Sequence, residues 1–298
     1  MALFNMQTGG GGGGEPCSVV GGRLEKASAT SLQWLPYYYN NIGLYDGANW
    51  VVVTPSSTPS LANTANDLDS AALAINSNYD IYAEYSSLTA FNLVAKKWTN
   101  DTTRAVTPAR FDGVLCYDNS TTNGKKRRFL GSIRMLSSSG AKFEDTSNLR
   151  FISNYYNRVP KEVTGSNSTS SWTYDTPTWR EFNNGSGQTR GYIILCDAQT
   201  TSILVYSLAT VYNISCYISP GLDGSYLAVA AFPFTTGIGY GGGISSTIKL
   251  TTSLPYTIPI GLHYISQHEY GNTYAYGKSS YAALTQYSDN KVWAIVNL

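Results

Sequence analysis

The two histidines of the chain, His263 and His268, lie in one stretch, "GLHYISQHEYG", with Glu269 directly after the second. Two imidazoles and a carboxylate are the groups that hold zinc or move protons. Whether they converge depends on the element that carries them. The stretch reads as a strand, in which successive side chains point to opposite faces. His263 and Glu269 then share one face and His268 takes the other, so the three do not meet on one metal. Histidines satisfied by their own neighbours are the stronger reading. No Gly-x-Ser-x-Gly elbow accompanies them, which leaves a Ser-His-Asp hydrolase little support.

The other chemical types are no more specific. Cys17, Cys116, Cys196 and Cys216 form no Cys-x-x-Cys pair and sit beside apolar or aromatic neighbours, the setting of buried free thiols. "GIGYGG" (Gly237–Gly242) matches Gly-x-Gly-x-x-Gly but runs into strand-like "ISSTIKLTTS". Without a helix N-terminus there is no phosphate cradle. Asp67/Asp69 and Asp80/Glu84 are carboxylate pairs of the kind glycosidases use, and nothing in their spacing singles them out. No catalytic residue, metal or cofactor is expected.

Tyrosine is the abundant functional type, with 24 residues, nine of them in "LPYYYNN", "NYYNR" and "EYGNTYAYGKSSY". Beside Asn, Ser and Gly it makes adaptable contact surfaces and stacks on carbohydrate. Tyr270, Tyr274, Tyr276 and Tyr281 are therefore the candidate ligand or partner surface, with tyrosines that merely fill sheet faces as the equal alternative. "KKRR" (Lys125–Arg128) stands alone beside a turn and reads as a solvated or inter-subunit salt-bridge patch. A net charge of +1 supplies no field for nucleic acid or anionic membrane. Neither partner is expected, nor is membrane insertion, because no apolar run approaches the ~20 residues of a span.

The elements that must position these residues are strands. "WVVV" (Trp50–Val53), "YDIYAEYS" (Tyr79–Ser86), "FNLVAKKW" (Phe91–Trp98), "DGVLCYD" (Asp112–Asp118) and "RRFLGSIRML" (Arg127–Leu136) are short and rich in β-branched and aromatic residues. In "YDIYAEYS" alternation puts Ile81, Ala83 and Tyr85 on a buried face and Asp80, Tyr82 and Glu84 on the open one. Asn123-Gly124 predicts a hairpin turn between the last two strands. "DLDSAALAINSN" (Asp67–Asn78) reads as a turn or a single helical turn. A composition break follows Tyr155–Ser171 around Pro160. Beyond it strands recur, and Ser202–Ile218 reads as two paired strands. The expected fold is all-β, with two antiparallel β-sandwich domains of jelly-roll type at 17–160 and 161–298.

Ahead of them stands an arm, residues 1–16. "MALFNMQT" lacks the basic flank and apolar stretch of a signal peptide, so the chain reads as made in a cytoplasm and soluble. Gly9 to Gly14 bury almost nothing and, as a free tether, would reach roughly 14 Å. Leu3, Phe4 and Met6 are the sizeable apolar residues before them. The arm reads as a small apolar plug with a glycine neck, an anchor on a larger particle.

Several blocks together resemble virion structural proteins of tailed bacteriophages, of the head-fibre, tail-fibre or decoration type. They are "GGRLEKAS", "LPYYYNNIGLYDGANWVVV", "WTNDTTRA", "RFDGVLCYD", "RRFLGSIR", "ISNYYNRVPKEV", "SWTYDTPTWREFNN" and "GLHYISQHEYG", in order over most of residues 21–275. The resemblance implies a non-enzymatic, β-rich building block of a virus particle, assembled in the host cytoplasm as a trimer or another symmetric oligomer, in contact with other virion proteins of the capsid or tail. It implies strand-edge turns at "YDG" and "DGV" and sheet-packing roles for Trp50, Trp98, Tyr155 and Tyr156. Three functions fit: a surface fibre or spike held by the arm, a decoration protein that clamps capsid subunits, and a receptor-binding adhesin for host surface glycan.

Overall fold

The structure is a computed structural model that describes residues 16–118, 126–137, 140–168, 172–173, 176, 178–185, 188–211, 216–227, 232–234, 246–270, 283–286 and 291–298. The arm residues Leu3, Phe4, Met6, Gly9 and Gly14 lie outside them, as do Tyr274, Tyr276, Tyr281, the Asn123-Gly124 turn and "GIGYGG".

In chain order the first strands are β1 (Gly22–Ser28), β2 (Ser31–Pro36), β3 (Ile42–Tyr45), β4 (Trp50–Val53), β5 (Ser60–Ala62), β6 (Ser77–Ser87), β7 (Ala90–Lys97), β8 (Ala109–Phe111), β9 (Val114–Asp118), β10 (Lys126–Ser137), β11 (Ala141–Phe143), β12 (Asp145–Thr146), β13 (Leu149–Arg150) and β14 (Ile152–Asn154). Then follow β15 (Pro160–Asn167), β16 (Trp172–Thr173), β17 (Trp179–Glu181), β18 (Gln188–Thr189), β19 (Gly191–Leu195), β20 (Gln199–Val211), β21 (Cys216–Leu222), β22 (Ser225–Tyr226), β23 (Phe232–Phe234), β24 (Ser246–Ile258), β25 (Gly261–Tyr270), β26 (Ala283–Gln286) and β27 (Lys291–Asn297). Two short 3-10 turns, at Pro16–Ser18 and Phe182–Gly185, are the helical elements among the described residues. Residues 67–76 form turns and an isolated bridge between Asn66 and Ala72, with the Asp67 carboxylate accepting from the Asp69 and Ala71 amides, and Ser77 and Asn78 already belong to β6.

Apolar alternation pairs the sheets into layers. Leu24, Leu32, Trp34 and Leu61 of the β1-β2-β5 sheet pack on Tyr79, Ile81, Leu93 and Ile133 of the β7-β6-β10-β9-β8 sheet. Ile193, Leu195, Leu222 and Ile265, on strands of the β12-β13-β19-β25-β21-β22 sheet, pack on Val163, Ile203, Val292 and Val296 of the sheet that contains β20, β27 and β15. The fold is all-β with multi-stranded sheets, as sandwich packing requires. Among the described residues pairing is antiparallel save for β13 on β19, which run parallel. β12 and β13 join the β19-β25 sheet, and β14 then returns to β10.

Three expectations are corrected. β6 is buried on both faces, because Asp80 and Tyr82 lie under a third apolar cluster of Tyr117, Phe129 and Cys196. On that face Asp80 accepts from Arg104 at 2.6 Å and from Ser132 at 2.6 Å, and Glu84 is paired with Arg127. The basic run is no solvated patch. Arg128 is 2% exposed and donates to the carbonyls of Cys17 at 2.8 Å and Gly43 at 2.9 Å, tying down the chain where residue 16 emerges. Finally, the stretch from Ser202 holds two strands, β20 and β21, but they belong to different sheets and pair with β24 and β25 respectively.

Of the aromatics given packing roles, Trp98 is buried, while Trp50, Tyr155 and Tyr156 are half-buried in ring clusters. Cys116 and Cys196 are buried thiols, and Cys17 is half-buried. No helix of the described residues is long and apolar enough to cross a membrane.

Candidate functional site: an aromatic arch over a polar strand

β25 places the histidines as alternation requires. His263, Ile265, Gln267 and Glu269 face the inner layer, and Tyr264, Ser266, His268 and Tyr270 face outward. On the inner side Glu269 and His263 are buried, each with a partner. Glu269 accepts from Arg180 Nε at 2.8 Å and from the Asn183 amide at 3.1 Å. His263 Nδ1 lies 2.7 Å from Asp223, whose other oxygen accepts from the Tyr264 amide at 3.0 Å. Among the described residues, no group of three or more His, Cys, Asp or Glu is placed to hold a metal ion.

The outer face carries a pair that resembles a nucleophile and its base. Ser266 Oγ and His268 Nε2 are 3.0 Å apart, with Glu181 on the strand opposite His268. Ser266 is fully buried, however, and His268 is only 2% exposed. Burial lowers the His268 imidazole to about 4, with Glu181 pulling it back up and Arg190 pushing it down. So weak a base has little drive to take a serine proton near neutrality. The pair is a floor.

Burial on an outward face needs a roof, and aromatic side chains supply it. Trp179 of β17 sits opposite Tyr270, on one edge of β25. Tyr226 of β22 lies beyond β21, on the other edge. Three strand spacings, about 14 Å across the sheet, separate β17 from β22. The two rings nevertheless stack at 4.6 Å with 14° between planes, so they arch over β25 and β21. Beneath them the residues are small: Ser219, Ser266 and Gly221, where a Cβ would overlap the His268 ring. Tyr270 adds a third ring, 5.5 Å from Trp179 and tilted by 50°. Tyr226 stays 40% exposed, and Trp179 and Tyr270 are half-buried.

A second aromatic station lies along the same face. Tyr192 and Tyr264 rings are 5.6 Å apart, and the Arg190 guanidinium sits 4.5 Å over Tyr264 while donating to Glu181 at 2.7 Å. Burial, then the Glu181 charge, raise the Tyr264 hydroxyl above the usual phenol range. Between the stations, Arg190 and Glu181 neutralise each other.

Of the sequence-derived surface residues, Tyr270 is placed in this arch. Trp179, Tyr226, Glu181 and Arg190 were not singled out. Tyr226 follows Ser225 and Arg190 precedes Gly191, whereas Trp179 and Glu181 stand among Thr178, Arg180 and Phe182 with no such neighbour, and only the pairing of four strands brings them together. The most exposed tyrosines, Tyr37 to Tyr39, reaching 69% at Tyr39, stand elsewhere, where their three amides converge on the Gly21 carbonyl.

The floor sets a pH dependence. With its pKa lowered to about 4, His268 favours the folded state only while neutral. Its contribution is full above the unfolded value near 6.5 and is lost as pH falls toward 4, on the order of 3 kcal/mol. His268→Gln is expected to flatten the acid limb of a stability-versus-pH curve between those values. An unchanged limb would remove His268 as its source.

No family model matches the chain, and no curated protein matches it. Among solved structures it is similar to the insecticidal delta-endotoxin Cry8Ea1 from Bacillus thuringiensis, at 8% identity and TM-score 0.26, over 93% of this chain and 51% of that one. It is also similar to a structure of the Gx strain of infectious bursal disease virus, at 10% identity and TM-score 0.17, over 74% of this chain and 53% of that one. The chain spans about half the length of each. Neither match is to a bacteriophage protein, and likenesses this distant carry no functional argument.

Proposed function

We propose that this chain is a non-catalytic recognition protein of the adhesion type, displayed on the surface of a particle, with the aromatic face of β25 as its contact surface for a host. The observation that carries the reading is the Trp179–Tyr226 stack, held across four strands with Tyr226 left open. Rigid Tyr and Trp rings give large contact area at small conformational cost, which suits a contact surface. Labelled full-length protein, incubated with a panel of bacterial strains that differ in surface polysaccharide, should adhere to some of them. Tyr226→Ala should lower the bound fraction about tenfold with an unchanged melting curve; undiminished binding overturns the reading.

A virion role, in fibre or decoration position, is favoured by a separate feature. Arg128 fixes the root of the arm through three carbonyls, of Cys17, Val19 and Gly43, a rigid base from which an anchor can pull. Deleting residues 1–14 should release the protein from particles, and full occupancy after the deletion contradicts that role.

A further inference from the structure

We propose that the outer face of β25 binds an uncharged glycan in extended form, lying from the Trp179–Tyr226–Tyr270 arch to the Tyr192–Tyr264 station. This rests on the adhesion reading and names the ligand of that same face.

Shape, charge and spacing carry the inference. A stacked pair presents a flat apolar surface, which matches the C–H face of a sugar ring better than it matches a peptide, whose usual handholds are unpaired strand edges and pockets. β25 offers no such edge, because β17 and β19 cover one side and β21 the other. On this face the one guanidinium beside the rings among the described residues, that of Arg190, is matched by the Glu181 carboxylate. The local charge sums to zero, so nothing selects a polyanion, while these groups remain donors and acceptors suited to hydroxyls. Arg190 keeps more than a third of its side chain exposed. Six residues of strand separate Tyr264 from Tyr270, about 20 Å. That distance exceeds one sugar ring, so a glycan that contacts both Tyr264 and Tyr270 is a chain of several.

The test uses the surface polysaccharide of a strain to which the protein adheres, separated by anion exchange into neutral and charged pools. Full-length protein is run in native gels cast with each pool. The neutral pool should retard it, with Trp179→Ala weakening the interaction at least tenfold. Tyr264→Ala should weaken binding to the intact neutral polymer about fivefold while leaving binding to its short hydrolysis fragments unchanged. Retardation by the charged pool alone overturns the uncharged assignment. Retardation by neither, with adhesion that protease treatment of the cells abolishes, overturns the glycan and assigns a protein receptor. Equal loss on fragments and polymer with Tyr264→Ala overturns the extended mode. In each of these cases adhesion through the arch still stands; it falls only if the protein adheres to no strain or if Tyr226→Ala adheres as well as the parent. Melting curves of each variant confirm that the fold is intact.

Discussion

Gly131→Ala is expected to cost about 4 kcal/mol or more and to lower the melting temperature by about 10 °C, read by thermal denaturation. Gly131 sits in β10 where the register to β6 slips between Phe129 and Gly131, and there β14 also pairs with it. Its φ of +157° lies at the margin of what other residues adopt, but the decisive term is contact. A Cβ at this position would overlap the Ser153 carbonyl oxygen and approach Asn154 Cα to 3.1 Å. Both are backbone, so no side chain can swing away. Pushing β14 outward would also strain the buried clasp in which Asn154 accepts from the Leu24 amide at 2.6 Å and donates to its carbonyl at 3.1 Å, linking β14 to β1. Gly113→Ala is the control: its φ is +82° and a Cβ there meets nothing within 4 Å. Strain alone should cost about 1 kcal/mol. Equal losses at the two positions would contradict the packing argument.

Arg104→Met is expected to destabilise the protein by about 3–5 kcal/mol at neutral pH, because it leaves a buried charge uncompensated. Arg104 donates to Asp80 at 2.6 Å and to the Cys196 carbonyl at 2.8 Å, with its guanidinium 5.1 Å from both the Trp98 and Phe129 rings. It thereby joins β6 to the turn that follows β19. Burial already raises the Asp80 carboxyl above its ordinary value, against the pull of Arg104 and Ser132. Removing the guanidinium raises it further. A carboxyl with a raised folded-state pKa favours the fold when protonated, and that advantage is lost as pH rises through the folded value. The deficit of the variant should therefore shrink as pH falls from 8 toward 4, in urea titrations of variant and parent run side by side. A deficit independent of pH would mean that lost packing, not the charge, is responsible.

These two sites show where sequence reading stops. Strands such as Trp50–Val53 and Lys126–Ser137 were legible because β-branched and aromatic runs between turn residues have few other conformations. The parity of His263, His268 and Glu269 was legible for the same reason. Burial of charge was not. Asp80, Glu84, Arg127 and Arg128 have the composition of an open face, and their partners are 24 to 111 residues away in the chain. Likewise, alternation in β20 and β21 marks both as strands, but it does not say that they part into separate layers. The arch is the extreme case. Tyr270 stood out among the tyrosines, whereas Trp179 and Tyr226, 47 positions apart in the numbering, meet only because β17, β25, β21 and β22 lie side by side.

The central claim is that contact with the host is made by this arch. Hydroxyl-radical footprinting of the full-length protein, free and bound to cells, tests it directly by reporting side-chain protection residue by residue. Protection on binding at Trp179, Tyr226 and Tyr270, with Tyr37, Tyr38 and Tyr39 oxidised as in the free protein, is the predicted result. Protection of Tyr37 to Tyr39 with an unchanged arch would contradict it.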